Sequence, residues 1–230
     1  SGGAAPYTFS WSNGPSIEDV SGLSASTYYV TITDFYECVV TDTALINEPV
    51  LLTTTIAKTD VSCNGGNDGT ASAIPAGGIP PYNYNWSNGL IDSTATNLLP
   101  GTYSVNVFDV NSCVANNIIT IIEPNAMSGS LSGTDVNCIG GSTGAVDMTF
   151  SGGTSPYTFA WSNTDTLEDI TGLTAGAYFV TVTDSCGTVL IDSIVIDEPP
   201  PLLDSIVSSN ISCFGANDGT ASVIASGGTL

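Results

Sequence analysis

A repeat of 75 residues is the feature that most constrains how this chain can fold. The stretches "PYTFSWSNG" (6–14), "PYNYNWSNG" (81–89) and "PYTFAWSNT" (156–164) begin 75 residues apart, and Gly-Gly and Glu-Pro pairs keep the same step. Such a unit exceeds a solenoid rung of roughly 20 to 50 residues and is long enough to be a small domain with its own core. We therefore predict a tandem array of domains, arranged as beads on a string.

The phase of the repeat sets the predicted domain boundaries. Residue 1 matches residue 226, so the chain starts and stops inside a unit, and we expect it to be a segment of a longer polypeptide. The predicted domains are the C-terminal part of a repeat (1–49), two complete repeats (50–124 and 125–199) and the N-terminal part of a repeat (200–230).

The charge balance disfavours several classes of function. The chain has 22 acidic residues, one basic residue (Lys58), no histidine and a formal net charge of -21. This surface repels phosphate backbones and anionic lipid, and no apolar run approaches the roughly 18 residues of a membrane span. The usual general base and phosphate clamp are also missing. We expect no nucleic-acid partner, no direct membrane insertion, no enzymatic activity and no cofactor.

Short alternating segments in residues 50–124 predict strands. They are "LLTTTIAKTDVS", "GTASAIPAGG", "YNYNWSNG", "STATNLLPG", "TYSVNVFD" and "VANNIITIIEP", and no stretch shows a sustained helical period. Six or seven short strands separated by turn signals are typical of an antiparallel two-sheet sandwich. The predicted fold is all-β, with tandem immunoglobulin-like antiparallel β-sandwich domains of about 75 residues.

Aromatic residues that keep the 75-residue step are predicted to form the core. These residues are Trp11, Trp86, Trp161, Tyr28, Tyr103 and Tyr178. The alternative for the tryptophans is an exposed surface that stacks on sugars. The Asn-Gly pairs at 13–14 and 88–89 suit a tight turn with positive φ. Because Asn163 is followed by Thr164, we expect a different turn there.

Six cysteines fall into two periodic series and predict disulfides. One series is Cys63, Cys138 and Cys213, and the other is Cys38, Cys113 and Cys186. No Cys-x2-Cys or histidine accompanies them, so we expect no metal site and an oxidising, extracytoplasmic setting. Two pairings remain open. Pairing within a unit joins Cys63 to Cys113 and Cys138 to Cys186, with Cys38 and Cys213 bonded outside the segment; pairing between neighbours joins 38 to 63, 113 to 138 and 186 to 213. The first is preferred because it stabilises each domain on its own.

Acidic residues in the loops suggest two further sites, and both have a plainer interpretation. Asn67-Asp68 and Asn217-Asp218 have oxygen ligands for calcium, but the third copy has Ser142 and Thr143 instead, so an Asx turn is favoured. The pairs at 18–19 and 168–169 lack a counterpart in the middle repeat, so solvated surface charge is favoured over a catalytic dyad.

The ordered set of Cys, Asp-Gly, Gly-Gly, Pro-Tyr, Trp-Ser-Asn-Gly, Gly-Thr-Tyr, Cys and Glu-Pro resembles the SprB repeat family of Bacteroidota cell-surface and gliding-motility adhesins. The resemblance covers the whole chain. The departures are Ser142-Thr143 in place of Asn-Asp, Thr164 in place of Gly, and a shortened "TDSCG" turn at 183–187.

The resemblance implies type IX secretion, display on the outer cell surface and motor-driven filaments that adhere to a surface. It also implies O-glycosylation at Asp-Ser/Thr followed by an apolar residue or Thr. The matching positions are Thr43, Ser93, Thr166, Ser193 and Ser205.

Two functions fit the pattern. The first is a structural stalk in a large adhesin, with neighbouring repeats, other filament chains or surface polysaccharide as partners. The alternative is lectin-like repeats that themselves bind polysaccharide or surfaces. Core and turn residues hold the period, while loop residues 14–19 and 89–94 drift. This distribution favours the stalk.

Overall fold

The computed structural model describes residues 2–228, and in these residues it contains strands and no helix. The leading part (2–49) holds β1 (Thr8–Trp11), β2 (Ser26–Thr33) and β3 (Val39–Ile46). The first full repeat (50–124) holds β4 (Thr53–Thr59), β5 (Gly69–Ala76), β6 (Asn83–Trp86), β7 (Thr94–Leu98), β8 (Gly101–Phe108) and β9 (Val114–Ile121).

The rest of the chain repeats this order. The second full repeat (125–199) holds β10 (Ser128–Thr134), β11 (Gly144–Ser151), β12 (Thr158–Trp161), β13 (Ile170–Leu173), β14 (Gly176–Thr183) and β15 (Val189–Ile196). The trailing part (200–228) holds β16 (Leu203–Ser209) and β17 (Thr220–Ser226). The first residue and the last two residues of the predicted partial repeats lie outside the described residues.

Each full repeat consists of two three-stranded antiparallel sheets. In the second full repeat the sheets are β10-β11-β13 and β12-β14-β15, and the first full repeat has the equivalent sheets β4-β5-β7 and β6-β8-β9. In the lettering of immunoglobulin domains the six strands are A, B, C, E, F and G, in sheets A-B-E and C-F-G. The six strands predicted for residues 50–124 are all present, and the all-β, immunoglobulin-like fold is confirmed.

The core of the second full repeat is filled from both sheets. Val146 and Met148 of β11 and the buried ends of β13 contribute one side, and Trp161, Val180 and Val182 contribute the other. Strand β14 alternates between buried and exposed positions, which is the pattern of a strand with one face on a core. Because alternate residues of the strand face inward, a repeat of about 75 residues can cover a core between two sheets.

Two aromatic side chains anchor connections with hydrogen bonds as well as by burial. The hydroxyl of Tyr178 donates to the carbonyl of Thr174 at 3.0 Å, which is the tyrosine corner found between strands E and F of immunoglobulin-like domains. The indole N–H of Trp161 donates to the carbonyl of Leu167 at 2.9 Å. A buried N–H or O–H needs such a partner because leaving it unpaired costs free energy. The bonds therefore tie two connections to the core.

The turn after Trp161 is the same as in the other repeats, so the prediction of a different turn there is wrong. The N–H of Thr164 donates to the carbonyl of Trp161 at 2.9 Å, as Gly89 does to Trp86 at 2.9 Å. Thr164 has φ 73, in the left-handed region that glycine adopts without cost. Turn geometry is therefore imposed by the strands on either side of it, and the threonine accommodates it.

The described chain divides into two compact units. The first comprises the chain up to Ala57 together with Ala71–Ala95 and Tyr103–Ile119, and the second comprises Lys58–Thr70, Thr96–Thr102 and the chain from Thr120 onwards. The first unit buries Tyr28, Leu52, Trp86, Val105 and Val107, and the second contains the core around Trp161. The repeat boundaries at 49/50, 124/125 and 199/200 stay a prediction. The described residues include no helix long and apolar enough to cross a membrane.

Candidate functional site

The A–B loop of the first full repeat presents Cys63 on a hydrogen-bonded turn. The N–H of Gly66 donates to the carbonyl of Cys63 at 2.9 Å. The backbone N–H and the hydroxyl of Ser62 both donate to the carboxylate of Asp68, at 3.0 and 2.5 Å. These bonds, with the side-chain bond first, hold the pKa of Asp68 below its ordinary value. The carboxylate therefore closes the loop that carries the cysteine.

The same loop geometry argues against a calcium site at this position. Asp218 accepts from the backbone N–H of Ser212 at 3.0 Å, as Asp68 does from Ser62. In the copy without a carboxylate, the Thr143 hydroxyl oxygen accepts from the N–H of Asn137 at 2.9 Å. The side chain at this position thus bonds a residue six positions earlier in each copy. In the described part of the chain, no group of three or more His, Cys, Asp or Glu side chains could hold a metal ion.

In each full repeat, the glutamate of the Glu-Pro pair fastens the A–B loop to the end of strand G. Glu123 accepts from the N–H of Gly65 at 2.5 Å, and Glu198 accepts from the N–H of Gly140 at 2.8 Å. The sequence shows only that the Glu-Pro pairs keep the 75-residue step. The missed signal was that each glutamate lies 58 residues after its glycine in both copies. The A–B loop therefore lies at the end of the repeat where strand G finishes.

The F–G turn of the second full repeat is built around Asp184, which is 6% exposed. One carboxylate oxygen accepts from the N–H groups of Cys186 (3.0 Å) and Thr188 (2.8 Å), and the other accepts from the N–H of Thr154 (3.0 Å). Burial acts to raise the pKa of Asp184, but the N–H donors, led by Thr154, outweigh it and lower the pKa. An ionised carboxylate therefore organises this turn.

The equivalent aspartates organise the F–G turns of the two preceding copies. Asp109, which is 3% exposed, accepts from the N–H groups of Ile79 (3.0 Å) and Cys113 (2.8 Å), and Asp34 accepts from the N–H of Ala4 (3.1 Å). The pKa of each is lowered, first by the bond from Ile79 or Ala4. Sequence reasoning missed these aspartates, although they keep the 75-residue step.

The F–G turn of the second full repeat is not shortened, which corrects the interpretation of "TDSCG". The N–H of Asp184 donates to the carbonyl of Thr188 at 3.1 Å, and the N–H of Asp109 donates to the carbonyl of Cys113 at 3.0 Å. The two turns therefore have the same length. What differs is the cysteine, because Cys186 lies two positions after its aspartate and Cys113 lies four positions after.

The Gly-Gly pair lies beside this F–G turn, at the end of the repeat where strand A begins. The N–H of Gly153 donates to the carbonyl of Asn125 at 2.9 Å, and a Cβ on Gly152 would overlap the carbonyl oxygen of Ala126. Only glycine allows the backbone to approach so closely with positive φ. Since Asp184 binds Thr154 in the same bend, the B–C bend and the F–G turn share one end of the sandwich.

A disulfide joins the A–B loop of one full repeat to the F–G turn of the next. The bond links Cys63 to Cys186, with Cα atoms 5.9 Å apart, inside the usual range of roughly 4.4 to 6.8 Å. The hydroxyl of Thr154 also donates to the carbonyl of Ser62 at 2.9 Å. The remaining described cysteines, Cys38, Cys113, Cys138 and Cys213, are free and exposed.

This pairing differs from both schemes considered from the sequence. In the second full repeat, Cys138 lies in the loop tied to Glu198 and Cys186 lies in the turn tied to Thr154, at opposite ends of the sandwich. The eight residues of β14 separate those ends by about 25 Å. A disulfide cannot span that distance. Cys63 is likewise bonded to Cys186 and not to Cys113 or Cys38.

Three segments of the chain match the model of the SprB repeat, at residues 55–90, 131–166 and 205–230. The chain carries SprB repeats. Each matched segment begins in strand A, and the two longer ones end in the turn after the tryptophan of strand C. No curated protein sequence matches the chain. The match indicates a cell-surface, adhesin-like repeat region.

Solved structures with immunoglobulin domains resemble the SprB repeats weakly. The N-terminal eight Ig domains of Down syndrome cell adhesion molecule match with 11% identity and a TM-score of 0.30, over 89% of this chain and 37% of that one. The amphioxus IgVJ-C2 molecule matches with 16% identity and a TM-score of 0.29, over 62% of this chain and 96% of that one. This chain thus spans about a third of the length of the first. The immunoglobulin-like assignment of the SprB repeats therefore rests on their strand order.

The predicted core aromatics of the SprB repeats occupy two kinds of environment. Trp86, Trp161, Tyr28 and Tyr178 are buried, and Trp11 and Tyr103 are half-buried. The predicted glycosylation positions are all exposed: Thr43, Ser93, Thr166, Ser193 and Ser205. Exposure makes these hydroxyls accessible, and their modification stays a prediction.

Proposed function

We propose that the chain is a stalk segment of a secreted cell-surface adhesin, in which SprB repeats hold an adhesive part away from the cell and transmit force to it. The observation that carries the proposal is the Cys63–Cys186 bond, because it joins two successive repeats and does not close one. A covalent bond at a joint keeps the two repeats together when the array is pulled.

The bond also decides which residues would carry tension. A pull along the chain enters the first full repeat at β4, reaches Cys63, crosses to Cys186 and leaves through β15. The residues between the two cysteines, a sequence separation of 123, lie inside the covalent loop. Those residues are shielded from tension as long as the bond is intact.

Hydrogen bonds between the first and last strands of the second full repeat give a further resistance to force. The N–H of Val136 donates to the carbonyl of Asp197 at 2.9 Å, and the N–H of Asp197 donates to the carboxylate of Asp135 at 2.8 Å. These bonds connect the end of strand A to the end of strand G. Once the disulfide is reduced, a pull on the two ends of the repeat loads these bonds together, so they then resist separation of the terminal strands.

The location and partners are part of the same proposal. We place the segment outside the cell, on a filament exported by the type IX system and used in gliding motility, with O-glycans on the five exposed hydroxyls named above. The support is the family match, the disulfide and the net charge of -21, which keeps neighbouring copies apart in solution. Its partners are neighbouring repeats, other filament chains or surface polysaccharide.

Single-molecule force spectroscopy tests the stalk. The chain is held between protein handles and stretched with and without a reductant. With the disulfide intact, the residues between Cys63 and Cys186 stay folded or looped, and reduction adds about 400 Å of contour length at the 3.3–3.6 Å that each residue spans when extended. Equal contour lengths in the two conditions would contradict the proposed force path.

A binding assay separates the stalk from the lectin-like alternative. The oxidised chain is applied to immobilised polysaccharides, and a Trp86→Ala variant serves as a control that removes a buried aromatic. A stalk shows no saturable binding. Saturable binding by the oxidised chain would favour the lectin-like function.

Mass spectrometry of the secreted protein tests the five glycosylation positions.

A further inference from the structure

The loop that carries the free Cys138 has the same construction as the bonded loop of Cys63. The N–H of Gly141 donates to the carbonyl of Cys138 at 2.9 Å, as that of Gly66 does to Cys63 at 2.9 Å. The loop is tied to the end of strand G through Glu198, as the other is through its own glutamate. Cys138 is exposed. Its loop is therefore prepared for the same bond but has no partner in the described residues.

The free cysteines of the other series lie in F–G turns with the same aspartate hydrogen bonds as the bonded turn, but at the position that Thr188 occupies there. The N–H of Cys113 donates to Asp109, and the N–H of Cys38 donates to Asp34, both at 2.8 Å. Both cysteines are exposed. In the second full repeat, this F–G turn meets the A–B loop of the preceding repeat.

A single rule accounts for the bonded cysteines and the free ones. If each A–B cysteine bonds the F–G cysteine of the repeat that follows, Cys63 and Cys186 are the one pair that this chain completes. Cys138 and Cys213 then require the F–G turn of a following repeat, and Cys38 and Cys113 require the A–B loop of a preceding one; the described partial repeats contain neither. These four are the free, exposed cysteines of the structure.

We propose that the Cys138 loop is a docking surface for the F–G turn of a further repeat of the same kind, and that Cys113 docks on the A–B loop of a preceding repeat. The result is a disulfide ladder, defined as A–B cysteine to F–G cysteine at every joint of a longer array. The ladder goes beyond the stalk, since it holds whether or not the array carries load.

The chemistry of the ladder is an ordinary thiol oxidation. The two thiols lose two protons and two electrons as the S–S bond forms, and a small disulfide such as oxidised glutathione accepts them and becomes two thiols. The covalent bond matters because acidic repeats repel each other, with a net charge of -21 over the chain. Asn137, the counterpart of Ser62 in this loop, is exposed.

An insertion tests the ladder directly. A second copy of residues 125–199 is inserted after Pro199. In the copy, Cys138→Ser removes the A–B cysteine, and Thr188→Ser gives the peptide with the remaining cysteine a distinct mass. The chain is oxidised in a glutathione buffer, alkylated and mapped without reduction. We expect Cys138 to change from fully alkylated to bonded, with the inserted counterpart of Cys186 as its partner. The Cys63–Cys186 bond of the same molecule reports that the chain has folded.

The matched control carries Cys138→Ser in the original repeat as well, and in it the inserted counterpart of Cys186 becomes alkylated. A second insertion, a copy of residues 50–124 before Val50, gives Cys113 a preceding A–B loop. We expect Cys113 to bond the inserted counterpart of Cys63. The ladder is overturned if either thiol stays alkylated after its insertion, or if Cys138 bonds the Cys186 of its own repeat.

Discussion

The second full repeat (125–199) and the leading part (2–49) contain the same motifs in different surroundings. The indole N–H of Trp161 donates to the carbonyl of Leu167 at 2.9 Å, and that of Trp11 donates to the carbonyl of Ile17 at 3.0 Å. The tyrosine corner is present in both, since Tyr28 donates to Ser24 at 3.0 Å. Local hydrogen bonds therefore form in both regions.

Burial and one strand differ between the two regions. Trp161 is 4% exposed, whereas Trp11 is half-buried. Residues 170–173 form β13 and pair with β11, but the equivalent residues 20–23 form no strand. In residues 2–49 no strand corresponds to β11. Strand E thus depends on its neighbour in the sheet, and turns and corners do not.

The largest difference is expected from removing the two tryptophans. Trp161→Ala should destabilise its repeat by about 3–5 kcal/mol, because it leaves a cavity in a closed core. Trp11→Ala should cost much less because its side chain is half-buried. Hydrogen exchange read by mass spectrometry on peptides from each region measures both. Equal losses of protection in the two regions would contradict the expected difference in burial between the two tryptophans.

The next effect is expected from the cysteines of the two F–G turns. Cys186→Ser removes the disulfide and should cost about 2–4 kcal/mol. Cys38→Ser changes an exposed free thiol and should stay within about 0.5 kcal/mol. Urea unfolding of both variants under oxidising conditions gives the two values. A large effect of Cys38→Ser would show that the leading part also holds a bond.

Low pH should lower the folding stability of both regions, so pH is a condition to which the two regions respond alike. The pKa of Asp184 and that of Asp34 are lowered in the folded chain, so the stabilisation is present above the unfolded pKa of about 3.9 and is lost as pH falls through the folded pKa. Asp184→Asn and Asp34→Asn should each flatten the acid limb of the stability curve for their own region. A limb left unchanged by either substitution would contradict the role of that carboxylate.

The smallest effect is expected from the turn after each tryptophan. Thr164→Gly should stabilise the second full repeat by about 0.5–1 kcal/mol, because glycine adopts positive φ without the steric cost paid by threonine. The reverse change in the leading part, Gly14→Thr, should have the opposite sign, since Gly14 has φ 104. Urea midpoints of the two variants provide the measurement. Changes of the same sign would show that the two turns differ.

Much of the fold follows from sequence patterns that act over short distances. The alternation in "TYSVNVFD" predicts β8, and Asn-Gly predicts the turn at 88–89. The roles of Asp109 and Asp184 could have been suspected from their spacing, but one N–H partner of each lies 30 residues away along the chain. A contact of that kind depends on which loops share an end of the sandwich.

The sequence by itself determined the 75-residue period, the six strands of residues 50–124 and the Asn-Gly turns, because each depends on neighbours within a few residues or on a pattern that repeats. Only the tertiary structure decided which cysteines meet. The strand order places the A–B loop and the F–G turn at opposite ends of a repeat, so Cys63 reaches Cys186 across a joint and Cys138 cannot reach the F–G cysteine of its own repeat.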